Sequence, residues 1–301
     1  MEPNLRFFDD KRILITGGGG YLGSKLAEIL ATTHAEIHLL DVKFNEIAVK
    51  LNTEYTHLSN IVCDLTNKEE IENAINFSQP DLVFHFAALL DRVRDFSNYD
   101  QLYKVNVEGT LNLLEGLKRV NYSGLYYASS SEVYGNKNPS PFREDQNPSP
   151  VSPYSLTKLM AENLISTYSL IKDKPYTILR LFNFYGSQMP PTFFLSQLEK
   201  SLSKNIPFEM TGGEQKRDFI SIEVLIELIL KVANKPKSNQ EIINICSGQA
   251  TSIKELALRT ASYQDKLHLL RIGALPYRLN EIWEMIGDTN KLSKILSSTV
   301  D

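Results

Sequence analysis

Cysteine is scarce in this chain of 301 residues, which contains only Cys63 and Cys246. The two lie far apart and form no Cys-x-x-Cys pair, which argues against a disulfide scaffold and against a cysteine-ligated zinc site. The five histidines also lack the spacing of metal ligands, so no metal is expected. Both cysteines are expected to be buried apolar side chains in a reducing compartment.

Long apolar runs and an excess of positive charge are missing as well. Nowhere do eighteen uncharged apolar residues follow one another, and the first ten residues do not resemble a signal peptide. The formal net charge of −4 makes nucleic acid and anionic membranes poor partners. With 42% hydrophobic residues the chain can bury a large core. We therefore expect a soluble, cytoplasmic protein.

Short apolar runs alternate with longer amphipathic segments along most of the chain. The predicted strands are 12–16, 37–41, 61–64, 82–86, 125–129, 177–181 and 242–246, and the predicted helices are 21–32, 99–120 and 154–171. Strands that are apolar throughout are typical of sheets covered on both faces. The alternation therefore predicts an α/β fold with a doubly wound parallel sheet, and its loss after Tyr185 predicts a smaller second region.

A glycine-rich segment, T-G-G-G-G-Y-L-G at 16–23, follows the first predicted strand and opens the first helix. Glycines at such a junction let the backbone approach a pyrophosphate, and the helix N-terminus offers unpaired N–H groups. Asp41 ends the second strand, where a carboxylate can bind an adenosine ribose and repel a 2′-phosphate. The pattern predicts a dinucleotide site and favours NAD over NADP. The alternative is a glycine turn that only packs the helix.

Two further groups of residues suggest chemistry. Tyr154 and Lys158 stand four apart at the start of a helix, so both can act on one bound molecule. A phenol has a reference pKa of about 10, and a nearby cation favours its ionised form. The segment S-S-S-E at 129–132 ends an apolar strand with three hydroxyls and a carboxylate, which have little use in a core. At the mouth of a cleft they can orient the hydroxyl groups of a substrate.

Together these residues resemble the extended short-chain dehydrogenase/reductases that act on nucleotide sugars, the NAD-dependent epimerases and dehydratases. The shared motifs cover nearly the whole chain: T-G-G-G-G-Y-L-G at 16–23, D-L at 64–65, H-F-A-A at 85–88, N-V-E-G-T at 106–110, S-S-S-E-V-Y-G at 129–135, Tyr154 with Lys158, L-R-L-F-N-F-Y-G at 179–186 and R-D-F-I at 217–220. The resemblance implies a Rossmann fold. It places a dinucleotide-binding domain at 1–183, with a strand near 241–246, and a substrate domain mainly at 184–301.

The resemblance also implies roles for individual residues. NAD contacts are expected from Gly17, Gly20, Tyr21, Leu22, Gly23, Asp41, Asp64, Leu65, Phe86, Ala87, Ala88, Asn106, Tyr154 and Lys158. Substrate contacts are expected from Ser130, Ser131, Asn183, Arg217 and Arg278, and catalysis from Ser130, Glu132, Tyr154 and Lys158. Turn or helix capping is the alternative for Asp64, Asn106 and Asn183, and a surface ion pair is the alternative for each arginine. His85 is expected to be a structural core histidine.

The reaction implied by the resemblance begins at carbon 4 of a nucleotide-diphosphate sugar. Tyr154 removes the hydroxyl proton, a hydride passes to NAD, and a 4-keto sugar results. Epimerisation, dehydration, decarboxylation or release of the keto sugar then separates the subfamilies. Ser131 and Glu132 match guanosine-diphosphate-mannose dehydratases and glucuronate decarboxylases, but G-S-Q at 186–188 replaces the common Gly-Pro-Arg. The outcome stays open at this point.

Two expectations concern the whole molecule. Many relatives pair through the helices that correspond to 99–120 and 154–171, which predicts a homodimer. The apolar residues of these helices exceed what one face against the sheet needs; they include Leu102, Leu113, Leu114, Leu159 and Ile165. The alternative to an enzyme is a dinucleotide-binding protein with a regulatory or structural role. Such a protein would be expected to lack the serine, tyrosine or lysine, and all three are present.

Overall fold

The computed structural model describes residues 3–91 and 94–298. Its strands are β1 (Arg12–Thr16), β2 (Glu36–Asp41), β3 (Leu58–Val62), β4 (Leu82–His85), β5 (Gly124–Ser130), β6 (Thr177–Leu181), β7 (Asn183–Tyr185), β8 (Phe208–Met210), β9 (Lys216–Ser221), β10 (Glu241–Ile245), β11 (Ala250–Ser252), β12 (Leu270–Ile272) and β13 (Glu284–Met285). Its α-helices are α1 (Tyr21–Leu30), α2 (Glu46–Glu54), α3 (Lys68–Ser78), α4 (Tyr99–Tyr103), α5 (Gly109–Leu117), α6 (Pro153–Lys172), α7 (Phe194–Ser203), α8 (Ile222–Ala233), α9 (Ile253–Tyr263) and α10 (Asn290–Ser297). None of these helices has the length and apolar character needed to cross a membrane.

A seven-stranded parallel sheet forms the centre of the fold, in the order β10-β6-β5-β4-β1-β2-β3. Side chains alternate between its two faces. Ile13 and Ile15 of β1 pack in one layer with α1, α2 and α8, whereas Leu14 packs in the other layer with α3, α5 and α6. Both faces are therefore apolar, which is why the strands lack a polar residue at every second position. The predicted doubly wound sheet is confirmed.

The predicted ends of the strands agree best with the observed ends for strands inside the sheet. The strands predicted at 12–16 and 177–181 match β1 and β6, and both lie inside the sheet. The third strand was predicted at 61–64, but β3 runs from Leu58 to Val62. β3 lies at the sheet edge and is only partly buried, so its apolar signal is weak. No helix was predicted for α2 or α3, whose exposed faces are charged.

The helix predicted at 99–120 is broken by a π-helical segment, Lys104–Glu108, between α4 and α5. Most of the apolar side chains named for this helix and for α6 are buried within the subunit. Leu102, Leu113 and Leu114 are buried, and so is Ile165 of α6. The expectation that these four are surplus to the core was wrong, because α5 and α6 pack against the sheet and against each other. Leu159 is partly buried in a separate apolar cluster.

The C-terminal segments build a second layer beside the carboxyl ends of the main strands. β9 pairs with β7, β11 and β13, and β8 pairs with β12. The chain passes from β6 in the main sheet to β7 in the second sheet through Phe182 alone, and β10 returns to the main sheet beside β6. A division into two domains near residue 183 stays a prediction.

Candidate active site

A cleft of about 650 Å³ lies between the carboxyl ends of the central strands and the C-terminal segments. Its wall includes residues from the glycine-rich loop, the end of β4, the end of β5, the start of α6 and the second layer: Gly17, Gly20, Tyr21, Leu22, Gly23, Phe86, Ala88, Ser130, Ser131, Glu132, Tyr154, Lys158, Asn183, Arg217 and Arg278. These residues come from widely separated parts of the chain. β1 and β4 are neighbours in the sheet, and this switch point is where doubly wound folds bind dinucleotides.

Close packing explains why the loop after β1 is built of glycine. Gly17 has a φ of +72°, and a Cβ there would lie 2.6 Å from the Ala87 nitrogen. A Cβ on Gly23 would overlap the carbonyl oxygen of Gly17. Gly20 caps α1, and a Cβ there would meet only the Gly17 oxygen, at 3.2 Å, within 4 Å. The first N–H groups of α1 have no acceptor within the helix. The loop and the helix start therefore fit a pyrophosphate.

Asp41 stands at the end of β2, as predicted for a ribose ligand. Its carboxylate accepts hydrogen bonds from the backbone nitrogens of Gly19 at 3.1 Å and Val42 at 2.8 Å. Burial raises the pKa of Asp41 above its ordinary value, while the backbone donors oppose that effect. The carboxylate is thus fixed beside the glycine-rich loop. A contact with NAD stays a prediction.

Three other predicted cofactor residues do not line the cleft. Asp64 is exposed and accepts a hydrogen bond from the Thr66 nitrogen at 2.8 Å, which is the capping role weighed as its alternative. Leu65 is buried in the apolar layer against α5. Asn106 is buried and exchanges hydrogen bonds of 2.7 and 3.1 Å with the backbone of Leu89. Asn106 therefore holds the segment after Ala87 and Ala88 in place from behind.

The three serines at the end of β5 point in different directions. Ser129 donates a hydrogen bond to the buried carboxylate of Glu162. Ser131 is buried, and its hydroxyl lies 3.1 Å from the sulfur of Met285. Ser130 lines the cleft and accepts a hydrogen bond from the Glu132 nitrogen at 3.2 Å. All three serines line the cleft, but the hydroxyls of Ser129 and Ser131 are engaged with Glu162 and Met285, which leaves the Ser130 hydroxyl as the one expected to meet substrate.

Tyr154 and Lys158 lie on the first turns of α6, whose start is stabilised by a capping box between Ser152 and Ser155. Both side chains line the cleft. The Lys158 nitrogen lies 4.3 Å from the centre of the Tyr127 ring, and its side chain is 2% exposed. Burial lowers the pKa of Lys158 to about 7, although the nearby Glu162 carboxylate acts in the opposite direction. Lys158 can therefore lose or hold its proton near neutral pH.

Glu132 lies on the short 3₁₀ turn Ser131–Tyr134 and lines the cleft. Its carboxylate accepts a hydrogen bond of 3.4 Å from the hydroxyl of Ser152, the residue that caps α6. Glu132 is thus linked to the helix start that carries Tyr154. This geometry brings a carboxylate and the phenol into the same part of the cleft.

Three arginines also line the cleft. Arg217 donates to the Glu281 carboxylate and to the Ile282 carbonyl, each at 2.7 Å. Arg278 is exposed and lines the wall, as does Arg94, which donates to the Asn280 carbonyl at 2.8 Å. Arg217 is therefore in an ion pair, the alternative weighed for it, but that pair is mostly buried in the cleft wall rather than on the surface. Asn183 also lines the cleft, with its amide nitrogen 3.8 Å from the Met285 sulfur.

His85 fills the structural role expected of it. Its ring nitrogens lie 2.7 Å from the Thr16 hydroxyl and 2.9 Å from the Thr110 hydroxyl. Burial lowers the pKa of His85 to about 3, so the ring is neutral at physiological pH. The prediction of a satisfied core histidine is confirmed.

Residues 13–246 match the NAD dependent epimerase/dehydratase family. The chain belongs to that family. Membership confirms the predicted family, the enzyme class and the dependence on NAD. The glycine-rich loop, Tyr154 and Lys158 all lie within the matched region, as do the whole of β1 to β10 except the first residue of β1. The alternative of a protein without catalytic activity is set aside.

Similar members of this family carry out different reactions. The chain is 31% identical over 304 residues to the UDP-N-acetyl-alpha-D-glucosaminuronate decarboxylase of Bacillus cytotoxicus, covering 95% of this chain and 91% of that protein. It is 28% identical to the GDP-6-deoxy-D-talose 4-dehydrogenase of Aggregatibacter actinomycetemcomitans, covering 95% and 92%. The crystal structure of the UDP-glucuronic acid 4-epimerase from Bacillus cereus, in complex with UDP-glucuronic acid and NAD, superposes with a TM-score of 0.85 and 27% identity, covering 96% and 94%.

Several residues of the site were not predicted from the sequence. Glu281 and Arg94 come from loops without a periodic pattern, so nothing local marked them. The aromatic part of the wall is also new; it includes Phe184, Phe193, Phe194, Phe208 and Phe219. Arg180 left a readable signal, because it is a charged residue within a predicted apolar strand, whereas Glu162 lies in an amphipathic helix where a charge is ordinary.

Proposed function

We propose that this family member oxidises carbon 4 of a nucleotide-diphosphate sugar through a 4-keto intermediate. The observation that carries the proposal is the set of residues that line this cleft. Ser130, Tyr154 and Lys158 line it together with the glycine-rich loop and with Arg217 and Arg278. The names of the relatives support it, since they include a 4-dehydrogenase and a 4-epimerase that act on nucleotide-linked sugars.

The side chains divide the chemistry among them. Tyr154 accepts the proton of the carbon 4 hydroxyl, and the Lys158 ammonium stabilises the phenolate form that can do so. Ser130 donates a hydrogen bond to the oxygen as its charge develops. NAD, when bound, supplies the hydride acceptor for the same carbon. The glycine-rich loop and the start of α1 hold its pyrophosphate, with Asp41 at the adenosine ribose.

The arginines of the cleft wall hold the substrate diphosphate. A guanidinium presents several donors in a fixed fork, which suits phosphate oxygens. Part of the Arg217 guanidinium donates to Glu281, and this ion pair holds the guanidinium in one orientation in the wall of the cleft. Arg278 is exposed and can move to a second phosphate oxygen, and Asn183 adds an amide donor.

Glu132 bears on the step that follows oxidation. A ketone at carbon 4 makes the proton on carbon 5 acidic, and a carboxylate in the same part of the cleft can remove it. Elimination of water needs this step, whereas epimerisation needs only return of the hydride to the other face. Dehydration is therefore the second candidate outcome, and it is favoured by the position of Glu132 beside the start of α6.

Product analysis tests the proposal directly. The protein is incubated with NAD and a panel of uridine, guanosine and thymidine diphosphate sugars, both neutral hexoses and hexuronates. Mass spectrometry distinguishes loss of water, carbon dioxide or two hydrogens, and proton NMR detects epimerisation at carbon 4. We expect one nucleotide sugar to react at carbon 4. Absence of any reaction across the panel, with NAD bound, would contradict the proposal.

We also propose that the protein is a cytoplasmic homodimer. Leu156, Met160 and Leu164 of α6 are partly exposed and stand four residues apart, so they form an apolar stripe on one face of the helix. Leu111 of α5 is 39% exposed. A twofold contact through α5 and α6 would cover these side chains. The two cysteines are unpaired and buried, which suits a reducing compartment.

A further inference from the structure

A buried ion pair lies directly behind the cleft. Arg180 of β6 donates to both carboxylate oxygens of Glu162 on α6, through Nε at 3.0 Å and Nη2 at 2.7 Å. The two side chains are only 2% and 3% exposed. Ser129 donates to Oε1 of the same carboxylate, and the Arg180 guanidinium lies 4.6 Å from the centre of the Tyr134 ring. Both oxygens of Glu162 are therefore already in use.

Lys158 stands one helical turn before Glu162 on the same helix. Opposite charges at this spacing attract each other, and burial strengthens the attraction. Yet across residues 3–91 and 94–298 the Lys158 ammonium forms no ion pair, and its contact is with the Tyr127 ring at 4.3 Å. The Arg180 guanidinium explains this, because it binds the Glu162 carboxylate oxygens that Lys158 would otherwise pair with.

We propose that Arg180 is a positioning residue, which holds Glu162 away from Lys158 and so leaves the Lys158 ammonium available to the cleft. The inference rests on the role of Lys158 in the proposed function. An ammonium drawn into a close pair with Glu162 would be turned back along the helix, away from NAD and Tyr154. Arg180 is not among the residues that line the cleft, so it acts through Glu162.

The charged groups around Lys158 make the effect specific. Tyr127 faces it from β5, His85 from β4, and Tyr154 and Glu162 from α6 itself. His85 is neutral, and the tyrosines carry no charge unless they ionise, so Glu162 is the carboxylate that acts on Lys158. Removing Arg180 leaves that carboxylate free to pair. Removing both residues leaves Lys158 without a competing partner.

The test compares Arg180→Met with the double variant Arg180→Met/Glu162→Gln. Calorimetry measures the NAD dissociation constant of each protein between about pH 6 and pH 10, a range that spans the Lys158 titration. For Arg180→Met we expect NAD binding weakened about tenfold, and its loss with rising pH moved to higher pH because the pair retains the lysine proton. The double variant should return to within about threefold of wild type below the Lys158 pKa, and its loss of binding with rising pH should begin no higher than in wild type, because the Glu162 carboxylate that raises the Lys158 pKa is gone.

A matched control removes an arginine from an ion pair away from the cleft. Arg12 binds Asp81 through a similar fork at the surface, so Arg12→Met should leave NAD binding and its pH dependence unchanged.

A crystal structure of Arg180→Met should show a Glu162 oxygen within hydrogen-bond distance of the Lys158 nitrogen. If Arg180→Met does not fold, Arg180→Lys releases one oxygen of Glu162, and the same weakening is expected to a smaller extent.

The proposal is overturned if Arg180→Met binds NAD as wild type does, or if the double variant is as impaired as the single one. Either result would make the ion pair purely structural. NAD binding needs no sugar, so this test remains decisive even if the proposed reaction at carbon 4 is wrong. If the variants bind NAD as expected but the wild type converts no nucleotide sugar, the proposed reaction fails while the role of Arg180 stands.

Discussion

Single residues in the cleft have properties that depend on different neighbours. Tyr154 owes its place to the capped start of α6, while Lys158 owes its lowered pKa to burial behind that start. Tyr154 and Lys158 stand one helical turn apart, and they can act together only because both line the same cleft. The lysine charge then favours the ionised phenol.

Replacing Tyr154 by phenylalanine removes the proton acceptor and keeps the ring. We expect turnover to fall about a hundredfold or more, with NAD affinity nearly unchanged. Steady-state kinetics on the substrate found in the panel and calorimetry with NAD measure the two effects. Tyr263→Phe is a suitable control, since Tyr263 is 94% exposed and lies outside the cleft wall. Wild-type turnover in Tyr154→Phe would rule out the assigned role.

Glu132→Gln keeps the shape of the side chain and removes its basicity. If Glu132 removes the carbon 5 proton, the variant should still oxidise carbon 4, seen as accumulation of reduced cofactor, while forming no dehydrated product. Absorbance at the reduced nicotinamide band and mass spectrometry follow the two steps. Turnover within a fewfold of a wild type that loses no water would instead support epimerisation or dehydrogenation.

At the scale of elements, the junction between β1 and α1 is tightly packed. Gly17 and Gly23 face each other, and the loop packs against the backbone after β4. No larger side chain fits there without a shift of the backbone.

Gly23→Ala should therefore disturb cofactor binding more than Gly20→Ala does. The added methyl group overlaps the Gly17 carbonyl in the first variant, whereas in the second it meets that oxygen only at 3.2 Å. We expect Gly23→Ala to weaken NAD binding about tenfold or more and to lower the melting temperature. Calorimetry and thermal unfolding measure both effects. Equal behaviour of the two variants would show that packing at Gly23 does not hold the loop.

At the scale of the whole molecule, the central sheet contains a neutral histidine. His85 has a folded-state pKa of about 3, lowered by burial from an ordinary value of 6.5. Between these two values the unfolded chain binds a proton at His85 and the folded chain does not. Stability from this group is therefore lost as pH falls from about 6.5 towards 3.

His85→Asn should make the free energy of unfolding less dependent on pH in that window, although it lowers stability at neutral pH by removing two buried hydrogen bonds. Urea unfolding at several pH values from about 4 to 7 gives the comparison. His268→Asn changes an exposed histidine and should leave the dependence as in wild type. An unchanged slope for His85→Asn would contradict a neutral buried ring.

The proposed dimer can be tested at the same scale. Light scattering at micromolar concentration should give twice the subunit mass, and Leu164→Arg should give a monomer, because a charge on the apolar stripe cannot be buried in the contact. Leu170→Arg, at a position 80% exposed near the end of α6, is the control. A wild-type monomer would refute the homodimer.

The sequence by itself determined the central sheet and the chemical class of the site. Apolar runs such as Arg12–Thr16 and Thr177–Leu181 had a local signal, because a strand covered on both faces needs apolar residues throughout. The glycine-rich loop and the pair Tyr154 and Lys158 also had local signals, since their chemistry depends on fixed spacing along one turn or one helix.

Only the tertiary structure decided how these parts meet. Glu281 reaches Arg217 from 64 residues away, and Arg180 reaches Glu162 from another element, and no pattern along the chain encodes such pairs. The hydroxyls of Ser129 and Ser131 contact Glu162 and Met285, which come from distant parts of the chain, whereas Ser130 accepts a hydrogen bond from the nearby Glu132 nitrogen. Local spacing fixes which residues share a turn, but contacts between distant segments depend on the packing of the whole chain.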